Sequence, residues 1–196
     1  MSESPDEASR STLVGLLKRR SLQIGEFTLA SGQISHYYVD ARPTTMSAEG
    51  LQMIGPLGVT MIAEAGWHAA SVGGLTLGAD PVAYAIAMAS RNNPPVMDAF
   101  TVRKQPKGHG TGRRIEGCFI AASQVIVVED VITTGKSALT AAQAVEEEGG
   151  RVVGVLAVVD RMEGGREAIE AAGYPVLTMV TVRDLGVVES RPDSGN

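Results

Sequence analysis

Thirteen consecutive residues, Val125-Ile-Val-Val-Glu-Asp-Val-Ile-Thr-Thr-Gly-Lys-Ser137, hold the densest chemistry in the sequence. Four apolar residues lead into adjacent carboxylates, Glu129 and Asp130. Val131 and Ile132 follow, then a turn of hydroxyls and glycine ahead of a helical pattern. Backbone N–H groups and hydroxyls of Thr133, Thr134, Gly135 and Ser137, backed by the positive end of the coming helix, suit a phosphate monoester. Glu129 and Asp130 would repel a phosphate placed on them, but as acceptor-only groups they match the adjacent hydroxyls of a sugar. A sugar phosphate satisfies both ends. The tripeptide Gly135-Lys136-Ser137 also mimics the end of a nucleotide triphosphate loop, G-x-x-x-x-G-K-[ST]. That loop needs glycine where this chain has Asp130, whose side chain would crowd the phosphates and repel them.

A second cluster is cationic. In Arg103-Lys-Gln-Pro-Lys-Gly-His-Gly-Thr-Gly-Arg-Arg114, six of twelve residues can carry positive charge, within a protein of formal net charge -5. Pro106, Gly108, Gly110 and Gly112 disfavour helix or strand, so the stretch, about 103–117, is expected to be a mobile loop joining two strands. By composition alone it is a solvated surface loop. Beside a sugar-phosphate turn, Lys and Arg donors gain a use, because they can stabilise an anionic group as it departs.

These residues need a scaffold, and the hydrophobic periodicity supplies one. Residues 1–8 and the tail from about Ser190 to Asn196 are polar and expected to be loose. Leu13, Leu16 and Leu17 predict a helix from about Ser11 to Leu22. Phe27 to Asp40, around the Ser31-Gly32 turn, reads as short strands of a small hood, about 10–45. Ser47 caps a helix through about Ala65 that carries Leu51, Ile54, Leu57 and Met61 inward and is kinked at Pro56. Asp80-Pro81 reads as N-cap and first residue of a helix through about Ser90. Apolar runs at Ala69–Gly73, Val96–Val102, Gln124–Val128, Val152–Val159 and Val176–Val182 alternate with helical patterns at Ser137–Glu148 and Gly165–Ala172. Such alternation predicts an α/β fold in one domain: a mostly parallel sheet flanked by helices, with ligands beyond the carboxyl ends of its strands.

On these residues the chain resembles the type I phosphoribosyltransferases, whose phosphoribosyl pyrophosphate (PRPP) motif has the same order: apolar strand, two acids, hydroxyl- and glycine-rich turn. Three further segments narrow the resemblance to orotate phosphoribosyltransferases. They are the loop Arg103-Lys104-x-x-Lys107-x-His109-Gly110, the hood segment Phe27-Thr-Leu-Ala-Ser-Gly-x-x-Ser-x-Tyr-Tyr38, and Gly73-Gly-Leu-Thr-Leu-Gly-Ala-Asp-Pro81. Asp160-Arg161 matches the place where that family binds orotate. The resemblance implies transfer of ribose 5-phosphate from PRPP to orotate, in pyrimidine nucleotide synthesis. It implies that Arg103, Lys104, Lys107 and His109 grip the pyrophosphate, with Lys107, His109 and Asp130 the catalytic groups. Glu129, Asp130, Val131, Ile132, Thr133, Thr134, Gly135, Lys136 and Ser137 hold the ribose 5-phosphate, and Thr133 and Arg161 contact orotate. Magnesium is implied, held by substrate oxygens and water without a protein ligand. A homodimer is implied as well, its catalytic loop shared between subunits. Tyr37 and Tyr38 are candidates either to flank the base or to pack. Ala30 stands where some members have a lysine, Gly73-Gly74 replaces a bulkier lysine-bearing pair, and Lys136 is unusual where a small residue suffices.

Bulk properties exclude other classes. Net charge -5 argues against a nucleic-acid or anionic-membrane partner, and no apolar run approaches the ~20 residues of a membrane span. The acidic N-terminus lacks a signal-peptide layout, and Cys118 is the only cysteine, so a reducing, cytoplasmic setting is expected. His36 and His68 have no companions at metal-ligand spacing, and Trp67 reads as a packing residue. Two rivals remain. A transferase acting on another base is opposed by Arg161 and the hood. A non-catalytic PRPP sensor would need an added basic nucleic-acid module, for which the chain has no room.

Overall fold

The computed structural model describes residues 5–28, 34–105 and 114–187. Strands β3 (Ser71–Leu75), β4 (Asp98–Val102), β5 (Ile115–Gly117), β6 (Gln124–Ile132), β7 (Arg151–Asp160) and β8 (Val176–Thr181) form one sheet in the order β5-β4-β3-β6-β7-β8. Every pairing is parallel except β4 with β5. The middles of its central strands, Val125–Val128 and Val152–Val159, are continuously apolar or glycine because both faces are covered. Ile126 and Val128 of β6, with Leu156 and Val158 of β7, point into one core; Val125 and Val127, with Val155 and Ala157, point into the other. Helices α3 (Ala48–Glu64) and α4 (Ala79–Ser90) close the first face, α5 (Lys136–Glu147) and α6 (Gly165–Ala171) the second. No described helix is long and apolar enough to cross a membrane.

The hood is built from α1 (Pro5–Arg20), the antiparallel pair β1 (Leu22–Thr28) and β2 (Ile34–Val39), and the short α2 (Arg42–Thr45). The Ser31-Gly32 turn and Ala30 lie outside the described residues. Several expected boundaries move. Helix α1 reaches back to Pro5, into the stretch expected to be loose, and stops at Arg20, because Leu22 is needed as the first rung of the hood, opposite Val39. Residues Ile115–Gly117, placed within the loop by composition, form the edge strand β5, since only one of three side chains needs burial there. Asp80 is not an N-cap: Gly78 occupies that position, and Asp80 sits inside the first turn of α4. Its carboxylate accepts from Thr76 Oγ1 at 2.7 Å and Thr101 Oγ1 at 2.8 Å, tying the β3–α4 loop to β4. Ser47 does cap α3, accepting from Gly50 N at 3.0 Å, and Pro56 lies on the exposed side of that helix without ending it. Ile54 and Leu57 are buried, whereas Leu51 and Met61 are only half-buried. Trp67 packs against the β7 backbone where Gly154 leaves no side chain.

Candidate active site

The acidic pair belongs to the strand itself, because β6 runs on through Glu129 and Asp130 to Ile132. Alternation along the strand buries Glu129 more deeply than Asp130, while the two carboxyl groups remain close enough to interact. Glu129 is 6% exposed, and its Oε2 has no hydrogen-bond partner among the described residues. Burial pushes its carboxyl well above the ordinary carboxylate value, and the neighbouring charge of Asp130 adds to the shift. Asp130 is half-buried, accepts from Val131 N at 2.9 Å, and faces Gly78, where any side chain would strike the carboxylate. A buried acceptor left unmet costs free energy unless a ligand meets it.

After Ile132 the chain turns through Gly135, whose φ of 77° is the left-handed conformation that glycine adopts most readily, and enters α5. No side chain caps α5, so the N–H groups of its first turn are left for a ligand at the positive end of the helix. Gly165 lets the start of α6 lie directly against this turn, since a Cβ there would collide with the carbonyl oxygen of Thr133. Glu129 and the run Val131 to Ala138 enclose a cavity of about 70 Å³, room for a phosphate-sized group. Thr134, Lys136 and Ser137 are exposed at its mouth. A wider hollow of about 540 Å³ lies beside α2, but Arg20, Asp40 and Arg42 on its wall already pair, Arg20 with Glu49 and Arg42 with Asp40. The smaller cavity has the unmet donors and acceptors, and the functional assignment follows them.

One strand over, β7 ends at Asp160, and Arg161 N donates to Ile132 O at 3.0 Å, so Arg161 is fixed beside the turn. Its guanidinium is buried at 6% exposure and lies 4.9 Å from the centre of the Tyr37 ring. Nη2 stands 2.7 Å from Glu163 Oε1, an ion-pair distance whose alignment does not make a hydrogen bond. Both Nε and Nη2 are therefore without hydrogen-bond partners among the described residues. Met162 between them has φ 59°, a left-handed strain of about 1–2 kcal/mol for a side-chain-bearing residue, and its N–H is held by Asp160 Oδ1 at 2.7 Å. The two hood tyrosines divide. Tyr37 is buried and donates to Glu163 Oε1 at 2.9 Å, while Tyr38 is 37% exposed and packs 5.7 Å from Phe27, centroid to centroid. Desolvation raises the Tyr37 phenol, with Arg161 opposing and Glu163 adding to the shift.

The cationic loop is described only at its root. Arg103 N donates to Arg114 O at 2.8 Å, and the root arginines form long ion pairs, exposed Arg103 with Glu116 at 3.6 Å and half-buried Arg114 with Glu147 at 3.5 Å. Pairs of this kind are worth about 0–1 kcal/mol and exchange readily for a ligand anion. Lys104 is exposed, and Lys107 and His109 lie outside the described residues. Gly73 and Gly74 admit no bulkier pair, since a Cβ at either would strike the carbonyl oxygen of Phe100 or of Val128. His36 and His68 are exposed. Sequence reading missed Glu163, Gly78 and the Asp80 network.

The buried Glu129 yields a stability prediction. A carboxyl whose folded value is raised takes up its proton more readily in the fold, so stability is greatest below the ordinary value and falls as pH climbs through the folded value. Glu129→Gln removes that loss. It is expected to raise the Tm of the ligand-free protein at pH 8 more than at pH 5 while lowering activity. Equal shifts at both pH values would mean that Glu129 stays ionised in the fold.

No family model matches the chain. The orotate phosphoribosyltransferase of Aquifex aeolicus (strain VF5) is 46% identical over 179 residues, 90% of this chain and 97% of that protein. That of Mycobacterium avium (strain 104) is 49% identical over 175 residues, 89% of this chain and 95% of that protein. Among solved structures, the orotate phosphoribosyltransferase of Mycobacterium tuberculosis H37Rv in complex with PRPP superposes with a TM-score of 0.75 at 41% identity. The match covers 94% of this chain and 93% of that one.

Proposed function

The chain belongs to the orotate phosphoribosyltransferase family, and from that premise we propose that it transfers ribose 5-phosphate from PRPP to orotate, yielding orotidine 5'-monophosphate and pyrophosphate. One juxtaposition carries the reading. At the carboxyl ends of adjacent strands, an unmet carboxylate oxygen and a guanidinium, both buried, flank a turn suited to a phosphate. Sugar hydroxyls would satisfy the first, a planar carboxylate the second, and the 5-phosphate the turn.

In this reading the first turn of α5 and the hydroxyls of Thr133, Thr134 and Ser137 seat the 5-phosphate, with Lys136 adding charge at the mouth. Glu129 and Asp130 orient the ribose hydroxyls and favour positive charge on the ring as the anomeric bond to pyrophosphate lengthens. Orotate, aligned by Arg161 and Thr133, attacks that carbon through its ring nitrogen, and no covalent enzyme intermediate forms. Arg103, Lys104, Lys107 and His109 bear on the departing diphosphate, and Lys107 and His109 stabilise or protonate it. Closing the loop would exclude water that otherwise hydrolyses the activated sugar. Magnesium suits this donor set, since it takes oxygen ligands, keeps several waters and favours substrate phosphates. When bound it would neutralise diphosphate charge, with Glu129 and Asp130 reaching it through water or sugar hydroxyls. A cytoplasmic homodimer with the loop crossing between subunits completes the proposal.

The deciding experiment incubates the protein with orotate, PRPP and magnesium and follows the loss of orotate's ultraviolet absorbance, with adenine and uracil as alternative bases. Turnover with orotate alone is expected. Turnover with adenine or uracil instead would reassign the base, and pyrophosphate release from none of them would leave a PRPP-binding protein.

A further inference from the structure

We infer that Glu163 is a positioning residue that fixes the orientation of the Arg161 guanidinium, an inference resting on the reading of Arg161 as a base contact. Nε and Nη2 of Arg161, the pair on one side of the guanidinium plane, are both buried, and Nη2 lies against the Glu163 carboxylate. A buried guanidinium without a charge partner is costly, so the carboxylate that balances it also sets where it sits.

Glu163 holds the guanidinium at Nη2. Its Oε1 balances the charge at 2.7 Å from Nη2, and the same oxygen accepts the Tyr37 hydroxyl at 2.9 Å. The Tyr37 ring supports the guanidinium at 4.9 Å. One carboxylate therefore links the β7–α6 turn to the hood strand β2 through two contacts. The left-handed backbone at Met162, held by Asp160, returns the side chain of residue 163 to that of residue 161, so the strain has a positional product. Glu163 itself is 27% exposed at the side chain and need not touch the base.

The test compares Glu163→Ala and Glu163→Gln with wild type. Glu163→Ala is expected to raise the KM for orotate about 10-fold with kcat within about 3-fold and the KM for PRPP within about 2-fold, as for a residue that orients a binding group. Glu163→Gln keeps an acceptor for Tyr37 and should restore the KM for orotate to within about 3-fold of wild type. Adding Tyr37→Phe to Glu163→Ala should cost little more, since both act through one oxygen. An unchanged KM for orotate in Glu163→Ala overturns the inference, as does an equal rise in both KM values, the mark of a general structural lesion. A direct readout needs no turnover. In nitrogen-15 spectra of the ligand-free protein, hindered rotation at the Arg161 guanidinium should be lost in Glu163→Ala. Rotation unaltered by the substitution refutes the positioning role, whereas wild-type protein inert towards orotate refutes only the substrate reading.

Discussion

Replacing Lys107 with alanine is expected to lower turnover by about 10²-fold or more while PRPP binding weakens far less, as loss of a contact made mainly in the transition state does. The charge on the diphosphate rises as its bond to the sugar breaks, so a lysine aimed at it gains most at that moment. Lys107 lies between the root arginines Arg103 and Arg114, where β4 and β5 launch and receive the loop. That root is two strands from β6, an offset of about 10 Å at ordinary strand spacing. Steady-state kinetics with both substrates checks the size of the effect. Mixing Lys107→Ala with Asp130→Asn subunits checks where the lysine acts: if the loop crosses a two-fold interface, half the dimers are mixed and each has one intact site, restoring about a quarter of wild-type activity. Turnover within a few-fold of wild type in Lys107→Ala would remove the residue from the reaction. No recovery on mixing, with exchange of subunits demonstrated, would keep the loop within its own chain.

How much of this site was legible in the sequence depends on the range over which each residue's role is decided. The cradle was legible because it is local: apolar strand, two acids, turn glycine and helix start all fall within thirteen residues, and each obeys a nearest-neighbour rule. The parallel sheet was legible because a strand buried on both faces must be apolar at every position, as Val125 to Val128 is. Glu163 was not. Its partners are Arg161, two residues away, and Tyr37, 126 positions away, and nothing in the local pattern separates it from the exposed acids around it. Asp80 misled for the opposite reason. Asp-Pro is a strong local signal for a helix start, yet contacts with Thr76 and Thr101 drew the carboxylate inward and left the cap to Gly78. The strand β5 was hidden inside a glycine-rich charged stretch because a three-residue edge strand has almost no periodicity to read.

Arg161→Lys is expected to lower kcat/KM for orotate about 10²-fold and to leave the KM for PRPP within a few-fold of wild type. The substitution keeps the positive charge and most of the length, so it separates charge from shape. If charge were all that counted, lysine would serve. The structure argues for shape: the planar guanidinium lies over the Tyr37 ring, and Arg161 is only 6% exposed. An ammonium cannot place two donors in one plane, and a compact, strongly hydrated cation is costlier to hold where Arg161 sits. Losing one partner of a buried, hydrogen-bonded charge pair costs about 2–5 kcal/mol, and every 1.4 kcal/mol is a factor of ten, which brackets the expected loss. The loss should fall on orotate because, among the described residues, the hydrogen bond of Arg161 to the cradle is a backbone one, at Ile132 O, and that contact survives a side-chain change. Measuring kcat/KM for orotate together with that for a pyrimidine lacking the carboxylate completes the argument. The wild-type preference for the carboxylate should largely collapse in the lysine variant, and a preference kept intact would place recognition of the carboxylate on some other residue.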